Sequence, residues 1–186
     1  AEGEYVRDIK YNEFGQVTRQ VLGNNTRTYY TYDKKSQRLL RTRTYSPSVV
    51  TQEDGDGNTT AIADLQDFIY SYDGAGNIIK IDDNVNTADQ IFAYDALNRL
   101  IAADGDYCKS GDVGVTVNGK SYCKSYSYDE IGNITAKEGI TYSYDSSKPH
   151  AVTGLSNETT FTYDANGNMS IKMTREDTTE YEYDVQ

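Results

Sequence analysis

Tryptophan is absent from this chain of 186 residues, proline and cysteine occur twice each, and histidine occurs once. Each scarcity removes a class of reading. A single histidine, with no clustered cysteines, does not supply the ligand set of a transition-metal centre. No apolar run approaches the length of a membrane span, and no window carries a sustained helical stripe. Basic residues are also short: 18 Lys and Arg against 29 Asp and Glu leave a net charge of −11. Phosphate recognition needs a basic track, so nucleic acid is not expected as a partner. The acidic residues are spread through the chain rather than blocked in a tail, and their charge mainly signals solubility.

What is plentiful is Tyr, with 18 copies against 4 Phe, and Gly, with 15. Tyr suits a sheet face that is packed yet partly wet, where the ring stacks and the hydroxyl finds water or a neighbour. Glycine with little proline suits many strands joined by turns of positive φ. The stretch Phe161-Thr162-Tyr163-Asp164-Ala165-Asn166-Gly167-Asn168-Met169 shows how these residues are used. Phe161 and Tyr163, two apart, put rings on one face of an extended segment. Asp164 is the residue type that opens a type I turn, and Gly167 fits its last position. Asn168 also tolerates the left-handed region, and Met169 begins the return strand. The unit is a β-hairpin.

The same unit recurs at Asn12, Asp33, Asp54, Asp73, Asp95, Asp129, Asp145, Asp164 and Asp184, with successive gaps of 21, 21, 19, 22, 34, 16, 19 and 20 residues. A period near twenty sustained over the chain marks a repeat array. Residues 1–186 therefore read as one domain of nine units, long enough for a core. The paired aromatics appear at seven units, from Tyr30/Tyr32 to Tyr181/Tyr183, and the first has Ile9/Tyr11. The Asp54 unit keeps the turn and loses both rings to Thr51 and Glu53. Asn98 replaces the usual glycine after Asp95 and should keep the turn, because Asn is the common non-glycine residue at positive φ. Asp33 and Asp145 lack that glycine, so longer or different turns are expected there, the latter with Pro149 fixing φ.

The long gap holds an insertion at about 107–122, bracketed by the duplicated segments Tyr107-Cys108-Lys109-Ser110 and Tyr122-Cys123-Lys124-Ser125. Inside it, Asn118-Gly119 is the signal of a two-residue hairpin. A Cys108–Cys123 disulfide would close the excursion and contribute roughly 3 kcal/mol in the chain-entropy model. Two cysteines in an exported chain favour pairing. The hairpin register does not, since it sets Cys123 opposite Gly114. Both outcomes stay open at this point.

Each candidate for chemistry has a plainer competitor. Asp54-Gly55-Asp56-Gly57-Asn58, with Asp64 nearby, imitates the first half of a calcium loop but has Thr59 and Leu65 where that loop needs Gly and Glu. Its fit to the repeat's own turn explains it without metal. His150 has no partner that suggests catalysis with a cysteine and reads as a turn residue. The many aspartates resemble paired acids for glycoside hydrolysis, yet each occupies the same turn position of its own unit, where Asp caps the backbone. No catalytic, cofactor-binding or metal-binding residue, no cofactor and no enzyme activity are expected. Five Asn-x-Ser/Thr sequons, at Asn24, Asn58, Asn133, Asn157 and Asn168, would matter only in a eukaryotic secreted chain.

Tyr-x-Tyr-Asp-x-x-Gly-Asn-Ile, at Tyr70–Ile78 and Tyr126–Ile134, resembles the YD repeat of the RHS-repeat family. That family includes bacterial Rhs polymorphic toxins, the B and C components of insecticidal toxin complexes, and animal teneurins. Asp64–Phe68 leading into Tyr70, and Phe92–Leu100, are similar to segments of its toxin-complex and secreted members. Pro149-His150-Ala151-Val152-Thr153 resembles a signature that members carry shortly before the RHS core. The resemblance implies an all-β fold of consecutive antiparallel hairpins spiralling into a curved sheet, a segment of a hollow shell that in toxin members encloses a C-terminal toxic domain. The family's aspartyl self-cleavage site lies in the downstream core and has no counterpart here. The chain opens at Ala1 and stops inside a unit at Asp184-Val185-Gln186, and is expected to be a piece of a longer, secreted or cell-surface protein.

Two functions follow from different classes. One is a structural wall that holds a toxin or effector domain inside an RHS shell, with flanking shell sequence as its partner. The other is a secreted or cell-surface binding module that meets glycans or a protein through tyrosine-rich faces. The open edges of such a sheet also predict self-association near Tyr181–Asp184.

Overall fold

The computed structural model describes residues 5–49, 61–105, 108, 114–145 and 147–183. The turn at Asp54, with its calcium-loop imitation, and the turn residue Asp184 lie outside them. Seventeen strands and no helix occur among the described residues, so no helix is long and apolar enough to cross a membrane. The chain divides into two compact units, Ala1–Asn98 with Asp104–Tyr107, and Arg99–Ala103 with Cys108–Gln186.

The first unit holds β1 (Val6–Tyr11), β2 (Val17–Leu22), β3 (Arg27–Tyr32), β4 (Leu39–Tyr45), β5 (Gln66–Tyr72), β6 (Ile78–Asp83) and β7 (Gln90–Tyr94). Each strand pairs antiparallel with the next in chain order. β4 thus meets β5 directly, through Arg41↔Ile69 and Thr42↔Phe68, although Asp54 lies between them in sequence. Alternation along these strands puts Tyr30, Tyr32, Phe68, Tyr70, Tyr72, Phe92 and Tyr94 on one face. The opposite face carries Tyr29 and Tyr45, packed edge to face at 5.5 Å. Ala63 completes this buried cluster, with Val49 and Ala61 against it, and the Tyr45 hydroxyl donates to the Ala61 carbonyl at 3.2 Å. On the same face Arg41 makes a two-pronged ion pair with buried Asp67, both bonds 2.6 Å.

The second unit holds β8 (Leu100–Asp104) but for its last residue, β9 (Val115–Val117), β10 (Lys120–Tyr122), β11 (Lys124–Tyr128), β12 (Ile134–Lys137), β13 (Ile140–Asp145), β14 (Lys148–Leu155), β15 (Thr160–Tyr163), β16 (Met169–Met173) and β17 (Thr178–Glu180). β8 pairs with β11, and the order then follows the chain to β17. β9 and β10 form the separate hairpin of the insertion, in the expected register (Lys120↔Val117, Tyr122↔Val115). Asn118 and Gly119 at its tip have φ of 49° and 79°, as a primed two-residue turn requires. Cys108 and Cys123 are nevertheless bonded, with Cα atoms 5.7 Å apart. The register argument fails because Cys123 lies just past β10 and need not meet its ladder partner.

The all-β class, the antiparallel hairpins and the turn positions that fall on described residues are as the sequence predicts; two local details differ. Asn168, Asn77 and Asn133 are not at positive φ; the glycines before them carry it, at 89°, 104° and 94°. Pro149 and His150 stand in β14 rather than in a turn, because Asp145↔Lys148 closes the hairpin tightly and Tyr144↔Val152 resumes pairing beyond an irregularity. At Asp33 the turn is one residue longer, as the missing glycine predicts, with Gln37 bonding back to the Asp33 carbonyl at 2.9 Å and Gln37 itself at φ 59°.

Candidate functional site

Among the described residues, the turn aspartates Asp33, Asp73, Asp95, Asp129, Asp145 and Asp164 are each engaged by their own loop. In the Asp164 turn, Oδ1 accepts the N–H groups of Asn166 and Asn168 at 2.9 and 2.8 Å, and Oδ2 accepts the Asn168 side-chain amide at 3.0 Å. Asp73 and Asp129 repeat the arrangement, with Asn77 and Asn133 as the clamping amides at 2.9 and 2.8 Å. Asn12 inverts it: its own amide donates to Gln16 Oε1 at 2.8 Å while its Oδ1 accepts the Phe14 and Gln16 N–H groups. Asparagine after the turn glycine is therefore a clamp on the carboxylate, a role the backbone reading missed.

These bonds favour the charged carboxylate. The Asn77 side chain, then the Asn77, Gly76 and Ala75 N–H groups, hold Asp73 below the usual carboxylate range against an opposing desolvation. Asp164 is lowered first by the Asn168 N–H. At Asp129 burial pushes upward, and the bonds from Asn133, Ile131 and Gly132 together outweigh it. The Ser36 N–H and hydroxyl lower Asp33, and those of Ser147 lower Asp145. A carboxylate saturated in this way is a poor general acid and a poor base.

From Tyr32 onward, the tyrosine immediately before a described turn does something equally regular. Its hydroxyl donates to the backbone carbonyl of the residue that begins the preceding hairpin's return: Tyr32 to Val17 (2.9 Å), Tyr72 to Leu39 (2.6 Å), Tyr94 to Ile78 (2.9 Å) and Tyr128 to Leu100 (2.8 Å). Tyr144 to Ile134 and Tyr183 to Met169 continue the series at 2.8 and 3.0 Å, and Tyr163 bonds Val152, inside β14 but opposite Tyr144, at 2.8 Å. The register supplies the reason. In six hairpins one return-strand residue is skipped beside this tyrosine, at Lys10/Tyr11, Thr31/Tyr32, Ser71/Tyr72, Ser127/Tyr128, Ser143/Tyr144 and Thr162/Tyr163. A bulge disrupts ladder bonding locally, and the carbonyl at that point takes the phenol instead. Burial raises the phenols of Tyr32, Tyr72, Tyr94, Tyr144 and Tyr163 above their usual range, which keeps them as donors.

Neighbouring turns are linked as well, through the residue that closes each one. Gln16 donates to the Gln37 carbonyl at 2.9 Å, Asn77 to Asn98 Oδ1 at 2.8 Å and Asn133 to the Pro149 carbonyl at 2.7 Å. Where that residue is a cation it also lies over the next tyrosine. Arg38 sits 5.5 Å from the Tyr72 ring centre and bonds the Asp73 carbonyl at 3.3 Å. Arg99 covers Tyr128 at 4.7 Å and bonds the Asp129 carbonyl at 3.0 Å. Lys148 does the same with Tyr163 and Asp164, at 5.8 and 2.6 Å.

The other candidates are absorbed in the same framework. Asp64 Oδ1 caps the Ser46 N–H at 2.7 Å. His150 Nδ1 bonds Asn133 Oδ1 at 2.8 Å; since the Asn133 amide already donates to Asp129 and Pro149, the imidazole is the donor and carries its proton on Nδ1. Among the sequons, the side-chain amides of Asn133 and Asn168 are spent on their clamps, while Asn24 and Asn157 lie exposed.

Hairpins of this kind, each clamped at its Asp turn and stitched by tyrosine to the one before, resemble the YD-repeat sheet of RHS proteins. No family model matches the chain. Over 152 residues it is 26% identical to toxin subunit YenC2 of Yersinia entomophaga, and over 149 residues 25% identical to toxin subunit YenC1 of the same organism. Each alignment covers 69% of this chain but only 15% and 14% of those relatives. In fold it is similar to the crystal structure of TcdB2-TccC3-Cdc42, with a TM-score of 0.60 at 21% identity, and to the Tc holotoxin pore of Photorhabdus luminescens, at 0.57 and 21%. Each match takes in 92% of this chain and 10% of the solved one. The resemblance to RHS/YD-repeat proteins thus holds in sequence and in fold.

Proposed function

We propose that this chain is a wall segment of an RHS/YD-repeat β-shell in a secreted toxin-complex component, non-catalytic in itself, whose shell encloses a C-terminal toxin or effector domain. The observation that carries the reading is the tyrosine bond from each hairpin to the one before it, repeated seven times among the described residues. Such stitching serves a continuous barrier and spends the polar groups that a catalyst would need free. The names of the relatives, toxin subunits, point the same way. The partners on this reading are flanking shell sequence and the enclosed domain, with edge association near Tyr181–Asp184 a further contact.

A glycan- or protein-binding surface is less favoured, because the phenols of the turn-flanking tyrosines are committed to carbonyls. The test is protease treatment of the whole parent protein, with the Tyr72→Phe/Tyr144→Phe variant alongside. A domain carried inside the shell is expected to survive in the native protein and to be cut faster in the variant. Equal cleavage of that domain in native and urea-unfolded shell would sink the reading.

A further inference from the structure

The tip of the insertion brings together an exposed Asn-Gly step and a hairpin small enough to open. The chain has two Asn-Gly steps, Asn118-Gly119 and Asn166-Gly167, and both asparagines are exposed. Such a step is chemically weak, because a glycine nitrogen with no side chain beside it can reach the amide carbon of the preceding asparagine. Whether it does so depends on how the backbone is held.

At Asn166-Gly167 it is held firmly. The Gly167 N–H donates to the Asp164 carbonyl at 3.2 Å, the Asn166 N–H donates to Asp164 Oδ1 at 2.9 Å, and Asn168 clamps the same carboxylate. The nitrogen that would attack is tied into the turn. Its strands, β15 and β16, pair over four positions and have β14 and β17 as outer neighbours. At Asn118-Gly119, by contrast, no hydrogen bond engages the Asn118 side chain or the Gly119 N–H among the described residues. β9 and β10 pair over three positions and form a sheet of two strands, and a lone two-stranded hairpin is marginal in water. A Cβ on Gly119 would meet nothing within 4 Å, so the step has room to change shape.

We propose that Asn118 is a site of spontaneous deamidation whose isoaspartate product dismantles the insertion hairpin. When the hairpin opens locally, the Gly119 nitrogen gives its proton to solvent base and attacks Asn118 Cγ. An N–C bond forms, the C–N bond of the side-chain amide breaks, and the amide nitrogen takes a proton from solvent and leaves as ammonia. Water then opens the five-membered imide at either carbonyl, giving aspartate or isoaspartate. No oxidant, cofactor or second protein takes part. Both products add one negative charge at the tip, and isoaspartate also routes the main chain through its side-chain methylene. The lengthened backbone no longer makes the two-residue turn in which Asn118 stands at φ 49°, so the pairing of Val115–Val117 with Lys120–Tyr122 is lost. The Cys108–Cys123 bond still tethers both ends of the opened loop.

The test is incubation of the full 186-residue chain in mildly alkaline buffer, with tryptic mass spectrometry of residues 110–120, which hold Asn118, and of residues 138–172, which hold Asn166. Asn118 is expected to gain the mass of an amide-to-acid exchange about tenfold faster than Asn166, as two separable products. Replacing both cysteines by Ala should speed Asn118 further, by loosening the base of the hairpin, and leave Asn166 as it was. In the isoaspartyl chain, amide exchange should rise across Val115–Tyr122 and stay unchanged at Lys124–Tyr128. Equal rates at the two asparagines, an intact Asn118 under conditions where a synthetic peptide of residues 110–120 converts, or unaltered protection of Val115–Tyr122 in the isoaspartyl chain would each overturn the proposal.

Discussion

A tyrosine hydroxyl aimed at a main-chain carbonyl, and an asparagine amide aimed at an aspartate, carry most of the specificity in each unit. Removing the phenol of Tyr72 leaves the Leu39 carbonyl without its donor. A lost bond of this kind costs about 1 kcal/mol, so Tyr72→Phe is expected to lower the thermal midpoint by roughly 2–4 °C, read by circular dichroism. At the turn, Asp164→Ala removes the acceptor of three bonds. Asp164→Asn keeps an acceptor for the backbone and lets Asn168 reverse its amide, as the Asn12–Gln16 pair shows is workable. Ala should therefore destabilise clearly more than Asn in urea titration, and equal effects would mean that the clamp adds nothing. Turn chemistry was legible from single residues because Asp and Gly answer to local backbone geometry. The two side-chain roles were not, since each depends on a bulge or a neighbouring turn that no one-unit pattern displays. The repeated aliphatic residue after the turn, at Val17, Leu39, Ile78, Leu100 and Ile134, was the available trace of that register.

Elements differ in how much they tolerate because some turns carry a neighbour's side chain and others do not. A Cβ on Gly167, at φ +89°, would meet nothing within 4 Å, whereas one on Gly76, at φ +104°, would come within 2.6 Å of the Arg38 guanidinium. Gly167→Ala should cost only the left-handed backbone, about 1–2 kcal/mol. Gly76→Ala should cost more, by about 0.5–1 kcal/mol for Arg38 displaced from Tyr72. In an Arg38→Ala background that excess should vanish, which a double-mutant cycle measures directly. The insertion is a different sort of element, a hairpin held at its base by Cys108–Cys123 while β8 and β11 pair independently of it at Lys124↔Ala103. Replacing both cysteines by Ala should therefore raise amide exchange across Val115–Tyr122 and leave Lys124–Tyr128 protected. Its turn was readable in Asn118-Gly119; its disulfide was not, because a bond formed just beyond the last ladder pair escapes any argument from register.

For the whole molecule, the balance between apolar burial and polar linkage decides how stability responds to pH. The buried apolar residues among those described are few, namely Val21, Tyr29, Tyr45, Ala63, Ala102, Ala103 and Tyr122, so titratable links weigh heavily. Asp33, Asp73, Asp129, Asp145 and Asp164 all have folded-state pKa values below their ordinary value. Their contribution is complete above the unfolded carboxylate range, near 4, and is lost as pH falls through the lower folded values, since the unfolded chain then binds more protons. Tyr32, Tyr72, Tyr94, Tyr144 and Tyr163 are shifted upward. Their contribution is complete below the unfolded phenol value, near 10, and is lost as pH rises beyond it, because the unfolded chain then releases protons that the folded chain retains. Urea midpoints should accordingly form a plateau from about pH 5 to pH 9 with a fall on either side. The acid limb should be shallower in Asp73→Asn/Asp164→Asn, and the alkaline limb shallower in Tyr72→Phe/Tyr144→Phe. Were both limbs the same in the variants as in the parent, the pH response would belong to the net charge of −11 acting at long range, and the clamp and the tyrosine bond would have no share in it.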